Sequence, residues 1–127
     1  MPTPISTLMT RPVRTVDMDD TVAQVEATLA QYGLTWVPVV HGGRAVMGVI
    51  SASDVLQFRA QGRDPNAVRA WQLCTYKPVQ VDQDTPLAQV ARQMVEQRIH
   101  HVVVPQAAGL AGVVSSLDFV RAFVEPD

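Results

Sequence analysis

Apolar residues recur along the chain in two alternating rhythms. Between Thr21 and Tyr32, Val22, Val25 and Leu29 fall three and four residues apart, the spacing that puts them on one face of a helix. Asp20 is the expected N-cap and Gly33, just past the last turn, the expected stop. Leu87, Val90, Ala91, Met94 and Val95 repeat the pattern, with Thr85 as cap and Pro86 at the first helical position, where a missing N–H is harmless. Elsewhere the apolar runs are short and β-branched. Val13–Val16 predicts a strand; Trp36–Val40 and Ala45–Ile50 flank His41-Gly42-Gly43-Arg44 as a hairpin; His101–Val104 and Leu110–Val114 do the same around Ala107-Ala108-Gly109. Amphipathic helices over Asp54–Ala60 and Asp118–Val124 close each series. The strands are nearly continuous in apolar residues, so both faces of their sheets should be covered.

The order of elements repeats because the sequence repeats. Val16-Asp17-Met18-Asp19-Asp20-Thr21-Val22-Ala23-Gln24-Val25 matches Val81-Asp82-Gln83-Asp84-Thr85-Pro86-Leu87-Ala88-Gln89-Val90 at an offset of 65. Gly48-Val49-Ile50-Ser51-Ala52-Ser53-Asp54 matches Gly112-Val113-Val114-Ser115-Ser116-Leu117-Asp118 at an offset of 64, the slip falling in a Gly-containing turn. The expected fold class is therefore α/β (α+β): two tandem β-α-β-β-α units, residues 5–62 and 73–124, joined by a linker at 63–72. A unit of about 60 residues buries too little surface to be comfortable alone. The expectation is a pair packed about a pseudo-two-fold axis, with two equivalent clefts between the repeats.

Composition narrows the chemistry. The 127 residues carry a formal net charge of −2, with 47% hydrophobic and 6% aromatic residues, so the core is aliphatic and a nucleic-acid grip lacks its basic face. Cys74 is the single cysteine, which excludes an internal disulfide and a Cys-rich metal cage. Three histidines without ligand spacing make no zinc site. The start Met1-Pro2-Thr3-Pro4 lacks a signal-peptide layout, and the longest uncharged apolar stretch, Val102–Leu117, is interrupted by Pro105, Gln106, Gly109 and Gly112. A cytoplasmic protein with no membrane span and no bound metal is expected.

In both repeats a buried strand ends in serine (Ser51, Ser115) and a helix begins with aspartate in its first turn (Asp54, Asp118). Two readings fit. Ser-x-x-Asp is a capping box, in which the hydroxyl caps the helix and the acid sits at the positive end of the dipole. Alternatively, a carboxylate at a cleft rim accepts both hydroxyls of a ribose cis-diol, while nearby Ser hydroxyls and helix-start N–H groups hold other oxygens. Gly48 and Gly112 would then admit a ligand close to the backbone, although a strand glycine also marks a bulge.

The order of elements, the opening Leu8-Met9-Thr10-Arg11-Pro12-Val13, Val37-Pro38-Val39-Val40 before the hairpin and Gly48-Val49-Ile50-Ser51-Ala52-Ser53-Asp54 after it resemble a cystathionine-β-synthase (CBS) domain. Two in tandem resemble a Bateman module, over about Ile5 to Val124. The resemblance implies a stand-alone regulatory module that senses AMP, ADP, ATP or S-adenosylmethionine, forms a homodimer, acts on a separate partner protein and requires no cofactor. It maps ribose binding onto Asp54 and Asp118, with Ser51, Ser53 and Ser115 beside them; Leu117 replaces the second serine of the second copy. Thr75 would frame the Asp54 site and Thr10 the Asp118 site. Adenine would lie against Val79 and Val102 in one cleft, and against Val13 and Val37 in the other.

Phosphates require cations, and the resemblance places His100 and His101 in the phosphate region of the Asp54 cleft; two ordinary histidines at a strand start are the competing reading. Lys77, Arg11 or Arg14 would supplement them. The first repeat has Thr35 and Trp36 there, where Trp36 either stacks on a base or fills the cleft. No phosphate loop, dinucleotide motif or nucleophile–base pair is present in the sequence, so catalysis is not expected. The alternative to sensing is a ligand-free dimerisation or docking module.

Overall fold

The computed structural model describes residues 3–9, 13–43, 45–76, 78–106 and 109–125. Two compact units emerge: Arg14–Pro78, and a composite unit of Met1–Val13 with Val79–Asp127.

The 14–78 unit holds a four-stranded sheet in the order β1-β2-β3-β4, built from β1 (Val16–Asp17), β2 (Trp36–His41), β3 (Ala45–Ser51) and β4 (Thr75–Tyr76). β1 runs parallel to β2, and the other pairings are antiparallel. Helices α1 (Val22–Tyr32), α2 (Ala52–Ala60) and the single turn α3 (Ala70–Leu73) complete it. Val25 and Leu29 of α1 reach the core with Val16, Val37, Val39, Ile50, Val55, Ala70 and Cys74. Each such aliphatic side chain withdrawn from water contributes roughly 1.5–3 kcal/mol.

The N-cap of α1 is Thr21 rather than Asp20. Thr21 Oγ1 accepts the Gln24 N–H at 3.2 Å while Gln24 Oε1 accepts the Thr21 N–H at 2.7 Å, a reciprocal capping box. Asp20 instead accepts the Asp17 N–H at 2.9 Å, tying the turn that precedes the helix. Gly33 (φ 62) ends α1 in the left-handed region, as its position implied.

The composite unit contains the hairpin β5 (His101–Gln106) and β6 (Gly109–Ser115), with α4 (Leu87–Gln97) and α5 (Ser116–Val124). The segment around Gln80 pairs parallel to Val103 through a single bridge, in the place that β1 occupies beside β2. Pro86 is the N-cap of α4, not its first helical residue, and Thr85 makes no side-chain cap. The start of α4 is satisfied from the other end of the chain: the Leu87 N–H donates to Thr3 O at 2.8 Å and the Ile5 N–H to Thr85 O at 2.7 Å. Ile5, in the 3-10 turn Ile5–Thr7, is fully buried among Val81, Val90, Met94, Val102, Val104, Val114 and Phe119.

The same exchange occurs in the 14–78 unit, where the Val22 N–H donates to Val68 O and the Ala70 N–H to Asp20 O. Ile5 and Ala70 are one offset of 65 apart, and each plugs the core of the unit that holds the other repeat's helices and strands. Both hairpins carry a register shift at equivalent places, Val39/Val40 and Val104/Pro105.

Gly48 and Gly112 make room for these leading segments. A Cβ on Gly48 would lie 2.3 Å from Thr75 O, and one on Gly112 would lie 2.8 Å from the Met9 Cβ. The close approach expected of a ligand at these glycines is therefore made by the chain itself. Arg98 ends α4 at φ 55, the counterpart of Gly33, where a Cβ costs roughly 1–2 kcal/mol.

Candidate functional site

Each unit presents one serine–aspartate pair at the start of its closing helix. Ser51 caps α2: its Oγ accepts the Asp54 N–H at 3.1 Å, and Asp54 Oδ2 accepts the Ser51 N–H at 2.8 Å. Ser115 and Asp118 repeat the arrangement at 3.4 and 2.7 Å, and the Ser115 hydroxyl also donates to Asp118 Oδ2 at 3.2 Å. The capping box read from the sequence is thus made twice. It engages one oxygen of each carboxylate: among the described residues, neither Oδ1 accepts a hydrogen bond. All four residues are half-buried, and the capping hydrogen bonds fix each acid in place.

The surroundings of the two pairs differ. Trp36 stands opposite Ser51 across β2 and β3, and His101 stands opposite Ser115 across β5 and β6. Burial pushes the His101 imidazole down to about 4; His100 acts in the same direction and Asp118 opposes them. At neutral pH His101 is therefore an uncharged donor and acceptor. Its acidic neighbour within the composite unit is Asp118. His100 is exposed, beside the start of α5, where its carbonyl accepts the Ser116 N–H at 2.9 Å.

Of the residues expected around Asp54, the 14–78 unit holds Ser51, exposed Ser53 and exposed Thr75, the last opposite Val49 on β4; the composite unit holds Val79, His100, His101 and Val102. Around Asp118, the composite unit holds Ser115 and half-buried Val13, and the 14–78 unit holds Trp36 and Val37. Val37 and Val102 are core residues, 0% and 1% exposed. Thr10, Arg11 and Lys77 lie outside the described residues. Arg14 stacks on the Tyr32 ring at 4.1 Å, in the 14–78 unit. Cys74 is buried, which raises its thiol pKa and disfavours the thiolate a nucleophile needs.

Sequence reasoning passed over Arg98. With Met94, Val95, Ile99, His100 and Ser116 it lines a groove on the composite unit. The available signal was a charged residue standing where the first repeat has its helix-ending glycine. Among the described residues no group of three or more His, Cys, Asp or Glu side chains is arranged to hold a metal ion, and no helix is long and apolar enough to cross a membrane.

Comparison with known proteins identifies the architecture. The chain is 31% identical over 111 residues to the mitochondrial CBS domain-containing protein CBSX3 of Arabidopsis thaliana, across 84% of this chain and 54% of that protein. An uncharacterized Methanocaldococcus jannaschii protein is 29% identical over 123 residues, 95% of this chain and 44% of its own length. The chain thus spans about half the length of these two relatives. Among solved structures, the CBS domain pair of protein MJ0100 in complex with 5′-methylthioadenosine and S-adenosyl-L-methionine superimposes with a TM-score of 0.87 at 20% identity, covering 100% of both chains. The CBS domain of a bacterial CNNM/CorC family Mg2+ transporter in complex with ATP gives a TM-score of 0.85 at 20% identity, over 96% of this chain and 87% of that one. The CBS domain sequence profile matches residues 5–61 and again 70–125, and with both repeats accounted for, the chain belongs to the CBS domain family.

Proposed function

We propose that the chain is a regulatory module that binds an adenine nucleotide or adenosyl compound (AMP, ADP, ATP or S-adenosylmethionine) at the two serine–aspartate helix starts. One observation carries this reading. In each repeat an aspartate is locked by a capping box through one carboxylate oxygen, leaving the other available to accept hydrogen bonds from a ribose diol. The ATP, 5′-methylthioadenosine and S-adenosyl-L-methionine complexes of similarly folded proteins support the ligand class. Ser53 and Thr75 accompany Asp54, and His101 accompanies Asp118 as a neutral hydrogen-bonding partner. The module has no role for catalysis: binding biases a conformational equilibrium that a partner protein reads, by no more than the ligand's differential affinity for the two states.

A second reading, a ligand-free interaction module that pairs with another copy or a different chain, is favoured by the exposed apolar residues of α5, with Phe123 84% and Val124 71% exposed. A thermal-shift panel of adenine and guanine nucleotides and S-adenosylmethionine separates the two. Sensing predicts that the adenosyl ligands raise the melting temperature of the wild type and that Asp54→Asn and Asp118→Asn each weaken the response. Variants that melt earlier while the wild type ignores every ligand support the second reading.

A further inference from the structure

The core of the composite unit is closed by a segment from far away in the chain. Residues 3–9 belong to this unit, yet the whole 14–78 unit separates them in sequence from the helices and strands they cover. Pro4 pairs with Pro86 in an antiparallel bridge, flanked by the Ile5 N–H on Thr85 O at 2.7 Å and the Leu87 N–H on Thr3 O at 2.8 Å. The Ser6 N–H adds a bond to Gln83 O at 3.2 Å. Ile5 is fully buried in the core with Val81, Val90 and Val114, while Thr3 and Thr7 on either side of it are exposed. Peptides bound by strand addition are held in the same way: backbone bonds set the register and a side-chain pocket selects the residue. The sequence shapes the segment for this in advance. Pro4 is extended, at φ −75 and ψ 153, and a proline also biases the residue before it towards extended backbone, so little freedom is lost on docking.

The counterpart in the other repeat is tied in differently. Ala70 stands one offset of 65 from Ile5, inside the contiguous 14–78 unit. Around it the Val22 N–H donates to Val68 O, the Ala23 N–H to Pro65 O and the Trp71 N–H to Met18 O, and the Arg69 guanidinium donates to Asp19 O at 2.9 Å. Thr75 and Tyr76 then enter the sheet beside β3. That segment leaves only if a strand leaves with it. Among the described residues, the β5–β6 sheet takes no strand from residues 3–9, so these can withdraw with the hairpin intact.

We propose that residues 3–8 are a removable strap, and that the cradle beneath them is a peptide-binding site that accepts the strap of a second copy of the chain. The bonds of strap to cradle are the same in either arrangement, so protein concentration sets the balance between them. The exchange involves the composite unit alone and does not depend on the nucleotide reading above. Disulfide trapping between full chains tests it, with Pro4→Cys in one variant, Pro86→Cys in the other and the buried Cys74 left in place. Oxidised together at high concentration, the two should form a mixed disulfide well above the level at which either variant pairs with itself. Adding Ile5→Asp to the Pro4→Cys chain should cut that yield by at least about tenfold, because the pocket rejects a carboxylate. In the unmodified chain, the Ile5 and Leu87 amides should exchange with solvent ahead of the Val103 amide in β5, the mark of local release. The proposal is overturned if the mixed disulfide does not exceed self-pairing or if Ile5→Asp leaves its yield unchanged. Exchange of all three amides at one rate would also overturn it, since the strap would then leave only when the unit unfolds.

Discussion

The two units run the same plan on different contacts, and the difference is clearest where each receives its leading segment. In the 14–78 unit, Thr75 and Tyr76 join the sheet as β4, and the Thr75 carbonyl occupies the space a Gly48 side chain would need. In the composite unit, a flexible methionine side chain, Met9, fills the equivalent space at Gly112. One unit closes on a backbone carbonyl and the other on a side chain whose outer atoms can move although its Cβ cannot. The repeat therefore conserves the position of the seal while changing how much it tolerates.

Substitution at the two glycines tests this contrast most strongly. Gly48→Ala drives a Cβ into a backbone carbonyl and should cost about 1–3 kcal/mol, the range for overpacking. Gly112→Ala meets the Met9 Sδ and Cγ, which a rotamer change clears, but also the Met9 Cβ at 2.8 Å, which moves only with the backbone, and should cost about 1–2 kcal/mol, less than Gly48→Ala. Chemical denaturation of both variants checks the difference; equal losses would mean that the seals are equivalent.

The caps, by contrast, should behave alike. Ser51→Ala and Ser115→Ala each remove an N-cap oxygen and should each cost about 1 kcal/mol. A clear inequality in urea midpoints would show that Trp36 or His101, opposite these serines, alters the cap's contribution.

Acid separates the units by a single side chain. The folded-state pKa of His101 lies at about 4, below the ordinary 6.5, so between these values the unfolded chain binds more protons at this site than the folded one. Its contribution is complete above about pH 6.5 and is lost as the pH falls towards 4. The first repeat has Trp36 at this position, which does not titrate. His101→Gln should flatten the stability profile between pH 6.5 and 4 relative to the wild type, and hydrogen exchange in that window should rise more in the composite unit. Parallel profiles for the wild type and the variant would contradict this.

The smallest contrast is at the surface. Arg59 binds Glu26 through two hydrogen bonds of 2.7 and 2.8 Å, linking α2 to α1, while Ala91 and Phe123 stand at the equivalent places of the composite unit. Glu26→Gln should have a slight effect that disappears in high salt, as exposed pairs do. A loss that survives high salt would indicate packing rather than charge.

Much of this plan was legible in the sequence because it is written in local periodicity. The three-and-four spacing of Val22, Val25 and Leu29 marked α1, and paired apolar runs around short glycine-containing turns marked both hairpins. The cap of α1 was misplaced by one residue, although Thr21 and Gln24 carry the capping-box spacing. The second cap failed for a different reason: Leu87 is satisfied by Thr3, more than eighty residues away, and no local pattern reports that bond. The 3-10 turn Ile5–Thr7, α3 and β4 span two to four residues each, too few for any periodicity, and exist through their pairing with distant segments. At the two helix starts, Ser-x-x-Asp is fulfilled as a capping box in both repeats. The position of His101 opposite Ser115 and near Asp118 required the strand register, which one-dimensional patterns do not contain.

Calorimetric titration of the unmodified chain with ATP and with 2′,3′-dideoxy-ATP tests the ribose reading most directly, because it alters the ligand and leaves both caps intact. If the open carboxylate oxygens hold the sugar, ATP gives saturable heat and the dideoxy compound binds at least about tenfold more weakly, the loss expected for hydrogen bonds to charged acceptors. Equal affinities for the two compounds would contradict the account.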